Sequence, residues 1–516
     1  MKNSISTHIA IIGGGPAGLT CARILQGYGL SPIVYEVDTA AGSRDGGGTL
    51  DLHADSGQIA LEDAGLVEAF YALARMEGQA KKRLSHTGNL VASFVPEEED
   101  SAAPEIDRGH LRAMLAEHLE PNTIRWGHKL SSATELQDGR VRLEFENGHV
   151  VEADLVIGAD GIWSKVRPLL TDAKPIYSGV SYLEIDFADV ETRHPALGEL
   201  VGPGHVFVTD GAGRGLVVQR NSNGHIRGYI AMLTPVDWYM KVGISLDDTD
   251  AIREYLVKEF SEWDPMLRQF LTDTDSGYIN RPIYILPAPL TWKSNRSVTL
   301  IGDAAHAMAP FGGFGVNLAK LDATEIARAV AEQATVAEAI AVYESVMLPR
   351  ASEHAVGANA AILRFLSSAG AKPDMVPDHE AEHRQYRESA EAYRLRQAAA
   401  TSQARNQSSE IQIAPIRLNT TEGRWTITFN TPRGENNVEL VLATVNEELV
   451  GTFDEQPIKH GKVNGCDVTF TIRLTLPFPM KVSFALTVNG DLMTGSAKAP
   501  MMTIPVNGIR IVSLST

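Results

Sequence analysis

From Thr7 to Gly370 the chain repeats one pattern: short apolar runs (Ile9–Ile12, Pro32–Tyr35, Leu155–Ile157, Val298–Ile301) that end in glycine or an acidic residue. Runs this short, without polar alternation, are the signature of strands buried on both faces of a parallel sheet. Helical spacing follows several of them, over Ala17–Gln26, Leu318–Ala334 and Val336–Leu348, where apolar residues recur every three or four positions. Between Tyr182 and Met232 the pattern changes to period-two alternation broken by glycine-rich turns, Gly202-Pro-Gly204 and Gly211-Ala-Gly213-Arg-Gly215. That change predicts an antiparallel sheet inserted in the α/β layer and able to wall a pocket.

A break follows Gly370. Residues 371–422 contain no glycine, and His379–Arg405 is rich in Glu, Arg, Gln and Ala, which reads as a solvated helix or helical linker: a spacer, or a helix that binds a partner. Beyond Ile411 the alternation becomes strand-like (Trp425–Phe429, Val438–Leu442, Val468–Ile472, Val482–Val488) between Gly, Pro and Asn-Gly turns. A separate all-β domain, a small barrel or sandwich, is expected there, to cover the preceding α/β part, dimerise or bind an apolar ligand. Asp454, Glu455 and His460 share one turn-like stretch of it and read as turn solvation.

Composition narrows the function class. With 44% hydrophobic and 21% charged residues in 516, the chain is ordinary globular material. A net charge of −18 repels phosphate backbones and anionic lipid, and no local basic run overrides it, so neither nucleic acid nor membrane is expected as a partner. Two cysteines far apart, Cys21 and Cys466, form neither a disulfide framework nor a metal cluster; no metal is expected, and a cytoplasmic location is. No apolar run approaches a membrane span and the apolar N-terminal stretch is too short for a signal peptide.

Chemistry concentrates in three places. Gly13-Gly-Gly15-Pro16-Ala17-Gly18 is a G-x-G-x-x-G that follows a predicted strand and opens a predicted helix, with Glu36 closing the next strand. Glycines let the backbone approach a pyrophosphate, the helix start stabilises its charge, and the acid accepts ribose hydroxyls. Gly158-Ala-Asp160-Gly161 and Gly302-Asp303-Ala-Ala-His306 each end a further strand. An acid in the second, with the Gly312–Asn317 turn behind it, suits the ribityl chain and ring of a flavin.

With those residues in view, the chain resembles a class A flavin monooxygenase, the aromatic-hydroxylase group that includes para-hydroxybenzoate hydroxylase. Gly47-Gly-Thr-Leu-Asp51-Leu-His53, Ser56-Gly-Gln58, Leu111-Arg112 and the run from His306 to Asn317 are similar to the tetracycline-inactivating members over residues 7–370. The resemblance implies non-covalent FAD held by Gly13, Gly15, Pro16, Ala17, Gly18, Glu36, Asp51, Arg112, Asp160, Asp303, Gly315, Val316 and Asn317. It implies NADPH or NADH as a transient co-substrate, with Arg44 as its contact, and oxygen addition at flavin C4a to give a hydroperoxide. Glu184 aligns with a substrate-contacting Gln. The chain departs from the family pattern in Val37-Asp38, where a basic residue often follows the acid, and in Phe314, where relatives carry Gln. No side chain is required as catalytic acid or base; His306 reads as a turn-positioning residue or a proton carrier, and His53 as a neighbour of Asp51.

The expected architecture is α/β: a Rossmann-type FAD part over 1–175, completed by 290–335, a β-sheet substrate domain over 176–289, C-terminal helices over 336–370, a helical linker over 371–410 and an all-β domain over 411–516 through which the chain could oligomerise. The expected reaction is NAD(P)H- and O2-dependent hydroxylation of a small or polycyclic aromatic or enolic compound, tetracyclines being one specific case. A flavin oxidase or dehydrogenase without oxygen insertion is the enzymatic alternative, and a ligand- or partner-binding protein with a vestigial flavin part is the non-enzymatic one.

Overall fold

The structure, a computed structural model, describes residues 5–43, 47–372 and 376–407, and in the C-terminal part residues 421, 423–431, 434–445, 448–454, 456–464, 466–474, 480–489, 492–499 and 502–510. Two compact units divide it, Met1–Ile413 and Ala414–Thr516.

In the first unit the apolar runs build a seven-stranded sheet with parallel strands at its centre. Its order is Ile124–Arg125, Ile33–Tyr35, Ile5–Ile12, Val150–Gly158, Val141–Phe145 and Leu130–Glu135, with Val298–Leu300 also paired to Val150–Gly158. Register brings Ile12 level with Tyr35 and with Gly158, and Gly158 level with Leu300. Four strands therefore release their chains at one edge. Helices Pro16–Gly27 and Phe314–Glu332 pack together over this sheet.

A second sheet stands beside it, in the order Ile279–Ile285, Ile176–Phe187, Ile226–Leu233, Arg214–Arg220, His205–Thr209, Lys81–Ser85 and Leu90–Phe94. Period-two alternation sends Val206, Val208, Leu216, Val218 and Ile230 into a core with Trp238, Phe260, Trp263 and Phe270 of the helices behind. The intervening residues Phe207, Val217, Tyr229 and Tyr182 face the other way, toward Phe311 and Phe365. Its last two strands come from the segment expected in the FAD part: Lys81–Ser85 pairs in parallel with His205–Thr209, a contact between distant stretches that no local pattern encodes.

Two helices differ from expectation. Val336–Leu366 runs on through Pro349, because its inner face (Tyr343, Met347, Ala351, Ala355) is buried on both sides of the proline. Packing outweighs the lost hydrogen bond. His379–Gln407, expected as a solvated spacer, packs on the first unit: His383 Nδ1 lies 2.8 Å and Arg387 Nη1 2.6 Å from the carboxylate of Asp100, and Tyr386 stacks on His53 at 4.1 Å. Among the described residues no helix is long and apolar enough to cross a membrane.

The second unit is a closed eight-stranded antiparallel barrel. Gly434–Val445, Gly423–Thr431, Met502–Arg510, Leu492–Ala499, Met480–Asn489, Asp467–Leu474, Lys459–Asn464 and Glu448–Phe453 follow one another, and the last pairs back to the first. Alternate residues fill the interior, Trp425, Ile427, Phe453, Phe470 and Phe484 among them, with Phe470 and Phe484 stacked at 4.8 Å. Eight strands enclose about the volume that such side chains fill, so this barrel is a packed core.

One buried charge stands out in the first unit. Lys320, fully buried in Phe314–Glu332, donates from Nζ to Thr20 Oγ1 at 2.9 Å, and burial pulls its pKa down to about 7. An unfolded chain holds that proton to about pH 10, so between pH 7 and 10 the unfolded state binds more protons and stability rises with pH. Lys320→Met is expected to raise the thermal midpoint at pH 6, where the burial penalty is full, and to flatten the rise toward pH 9. Melts of both proteins at the two pH values check it; a parallel rise in the variant would exonerate Lys320.

Candidate active site

A cavity of about 1810 Å³ opens where the four strand ends meet the inner face of the second sheet. It exceeds the roughly 300–1,000 Å³ of a site for one drug-sized molecule, so it has room for a dinucleotide and a second compound.

The glycine loop lines one end. A Cβ on Gly13 would stand 2.3 Å from Ala159 O and one on Gly18 2.1 Å from Gly13 O, so these positions admit no side chain. Gly15 is different: nothing lies within 4 Å of its Cβ position, and the first turn of Pro16–Gly27 faces open space there. Glu36 is buried and accepts from the backbone amides of Gly14 and Asp38. Arg112 supplies the cation missing after Glu36: Nη1 donates to Asp38 Oδ2 at 2.7 Å, Nε to Gly14 O at 2.9 Å, and Nη2 lies 3.5 Å from Glu36. Its guanidinium also stands 5.7 Å from the Trp126 ring.

Asp51 and Asn317 form the middle. The Asn317 carboxamide donates to Asp51 O and Gly313 O, each at 2.8 Å, and accepts from His53 N at 2.8 Å and Gly57 N at 3.2 Å. One buried side chain thereby ties two loops together. Asp51 Oδ2 lies 3.4 Å from His53 Nε2 and 4.0 Å from Lys81 Nζ. Burial alone would push its carboxyl up, but His53, Lys81 and His205 outweigh it and hold Asp51 well below the usual carboxylate range. Phe314 sits edge-on to His53 at 6.0 Å and to His354 at 4.9 Å, an aromatic wall at this point of the cavity. Gly315 and Val316 line the cavity at the start of Phe314–Glu332.

The remaining two acids differ in setting. Asp160 Oδ2 accepts from Lys165 N at 2.7 Å, whereas Oδ1 is buried with no partner, and burial raises its pKa. Asp303 is exposed to the cavity at the first position of Asp303–His306. Behind it Asp322 accepts from Gly302 N at 3.0 Å and Arg350 Nη2 at 3.0 Å and meets His306 Nε2 at 2.6 Å. Burial would lower the His306 pKa; the Asp322 carboxylate outweighs it and raises it. His306 is not among the cavity-lining residues, so its geometry is that of a turn brace. Arg44 lies outside the described residues.

On the sheet side Glu184 lines the cavity, paired with Arg281 Nε at 2.9 Å and Arg227 Nη1 at 3.2 Å. Sequence reasoning missed its companions on this face: Arg83, Phe207, Gln219 and Tyr229, and, from the last helix, His379, Glu382 and Tyr386. Alternation over Tyr182–Met232 could have singled out Tyr229; nothing local points to Arg83 or Tyr386.

Open space at Gly15 and the exposed Asp303 together fit an extended, hydroxyl-rich dinucleotide. Comparison with known proteins agrees. The sequence profile of the FAD binding domain family matches residues 6–254 and 290–356. The chain is 32% identical over 369 residues, 68% of its length and 87% of the relative's, to a 3-amino-4-hydroxybenzoate 2-monooxygenase of Streptomyces platensis. In fold it is similar to Klebsiella pneumoniae HpxO complexed with FAD and uric acid (TM-score 0.60, 20% identity, 74% of this chain and 93% of that one). It is likewise similar to the tetracycline destructase Tet(51) (TM-score 0.54, 20% identity, 75% and 98%).

Asp303→Ala is expected to weaken FAD binding about tenfold or more, the loss of one or two hydrogen bonds to a charged acceptor. The flavin-to-protein absorbance ratio after purification measures it. Full flavin occupancy would remove Asp303 from the site.

Proposed function

Because the chain belongs to the FAD binding domain family of flavin monooxygenases, we propose that it hydroxylates a small or polycyclic aromatic or enolic compound with O2 and NADPH or NADH. The observation that carries this reading is the single cavity in which the glycine loop, Asp303 and an aromatic sheet face meet. Bound FAD supplies the redox chemistry, accepting electrons from the nicotinamide and activating oxygen.

The protein's part is to hold, orient and exclude. Gly13, Gly15, Pro16, Ala17 and Gly18 would face the pyrophosphate, Glu36 the ribose hydroxyls with Arg112 fixing the loop around it, and Asp303 the ribityl chain. Asp160 adds an unpaired acceptor beside the same site. Asp51 and Asn317 would set the loop against the ring, and the free backbone amides at Gly315 and Val316 would offer positive dipole to an anionic ring edge. Arg44 is assigned to the nicotinamide dinucleotide. Tyr182, Phe207, Phe311 and Phe365 supply an apolar bed for an aromatic ring, and Glu184, held by its two arginines, an acceptor at the edge of that bed. Tyr386, stacked on His53, adds an aromatic wall to the cavity from the helix His379–Gln407, which also packs on Phe94 of the second sheet, and helps to exclude water. No side chain acts as an obligatory acid or base.

The balanced reaction consumes one NAD(P)H, one proton and one O2 for each hydroxyl formed and water released. A screen of aromatic and enolic compounds under oxygen-18 gas, following NAD(P)H oxidation and product mass, is expected to find a product two mass units heavier than its oxygen-16 counterpart. NAD(P)H oxidation that yields only hydrogen peroxide or an unlabelled product, across all compounds that stimulate it, would make the protein an oxidase or dehydrogenase.

A further inference from the structure

A titratable group lies directly behind the dinucleotide cradle. A Cβ on Gly302 would stand 2.9 Å from the Cβ of Ala319 and 3.7 Å from that of Ala17, so the Gly302 turn and the helices Pro16–Gly27 and Phe314–Glu332 meet at one spot. All three residues line the cavity there. Lys320 is the next residue after Ala319, and Thr20 lies three residues beyond Ala17. Their side chains bridge the same two helices beneath that wall: Lys320 Nζ donates to Thr20 Oγ1 at 2.9 Å, and both residues are fully buried. Three helical residues advance by about 4.5 Å, so the amine sits roughly one turn behind the surface that the glycine loop offers to a pyrophosphate.

That amine has no counter-charge. Among the described residues no carboxylate pairs with Lys320, and burial alone pulls its pKa down. The charged groups of the elements packed against it are engaged elsewhere. On its own helix Asp322 is held by His306 and Arg350, Glu325 by Arg350, and Arg328 by Asp63 of Gly57–Asp63. Glu62, on that same short helix, pairs with Arg394. On Val336–Leu366, Glu344 accepts from Trp292, Ser294 and Thr299, and Tyr343 donates to Leu300 O. Pro16–Gly27 brings Arg23, a like charge, and Cys21, whose thiol burial pushes up and so keeps neutral. A dianion laid against the wall one turn away supplies what the protein itself withholds.

We infer that Lys320 couples cofactor binding to the uptake of a proton: the pyrophosphate of the dinucleotide favours the ammonium form of the buried lysine, and the ammonium in turn tightens the hold on the pyrophosphate. The inference rests on the reading that this cavity takes FAD and adds to it a dependence of affinity on pH. Lys320 is not among the cavity-lining residues and acts through the helix wall. Because a bound dianion favours the charged amine, the loaded protein keeps that proton to higher pH than the empty one. Binding therefore takes up a proton above about pH 7, and affinity falls as pH rises. A gap of one pH unit between the two states makes FAD about tenfold tighter at pH 6 than at pH 9, about fivefold of it between pH 7 and 9. In the empty protein the same charge opposes folding, so one substitution raises the melting midpoint of that form and weakens its hold on the cofactor at the same pH.

The test dilutes the flavin-loaded protein and follows the fluorescence of released FAD, which gives a Kd at each pH from 6 to 9. The wild type is expected to lose about tenfold in affinity across that range. Lys320→Met and Lys320→Gln are both uncharged, and the glutamine can keep the bond to Thr20. Each is expected to match the wild type at pH 9 and to bind FAD about tenfold more weakly than it at pH 6, with a flat profile between pH 7 and 9, above the ordinary histidine range. A wild-type Kd that does not change between pH 7 and 9 would overturn the inference, as would a slope that survives in either variant or a loss of affinity equal at every pH. Should the methionine variant not hold flavin, the glutamine variant decides. Protein that binds no FAD at any pH overturns the cofactor reading itself. Neither NAD(P)H nor oxygen enters the titration, so its outcome is separate from that of the oxygen-18 experiment.

Discussion

Everything at the site depends on four strands ending level. Once Ile12, Tyr35, Gly158 and Leu300 have taken their last ladder positions, the next residues, Gly13, Glu36, Ala159 and Ile301, each donate one more amide to a neighbouring strand, and the chain beyond them must satisfy its backbone groups elsewhere. The glycine loop answers with close backbone contact to Ala159, Glu36 with its own carboxylate, and the Gly302 turn with Asp322. What remains open, at Gly15 and Asp303, opens on the cavity. A one-residue slip in any of these strands would turn buried side chains outward and move an acid out of line with the others.

Polar groups deeper in the protein stiffen this edge. Asn317 spends all its hydrogen-bonding capacity on backbone atoms of two loops, so neither can shift without breaking bonds in the other. Asp322 does the same between the Gly302 turn, His306 and Arg350. Buried charges of this kind contribute little net stability, because desolvation offsets most of their attraction. Their effect here is geometric: the loops that must face a ligand have one arrangement.

Much of this was legible in the sequence where the chemistry is local. Gly13 to Gly18 with Glu36, and the Gly-Asp ends of two strands, lie within short windows whose spacing has few other uses, and the structure gathers them on one edge. The alternation of the inserted sheet and of the C-terminal barrel was equally plain, since period two survives without knowledge of partners. What was hidden is what pairing at a distance decides. Lys81–Ser85 carries no sign that it will join His205–Thr209, so Arg83 could not be placed beside Phe207. Nor does the charged surface pattern of His379–Gln407 reveal that Tyr386 stacks on His53, because a single aromatic in a polar helix leaves no periodic trace. The absence of a basic residue after Glu36 looked like a gap; Arg112 fills it through space.

The position of that helix in the chain has a consequence for how the protein is made. Tyr386 and His379, which wall the cavity, follow every strand and loop that frames it, so they are the last part of the first unit to leave the ribosome. At roughly 5–20 residues per second, synthesis of the stretch from the end of Phe314–Glu332 to Gln407 takes several seconds. Throughout that interval the strand edge and the glycine loop are present and the wall is not. A large cofactor would meet an open groove during translation and a narrower opening afterwards.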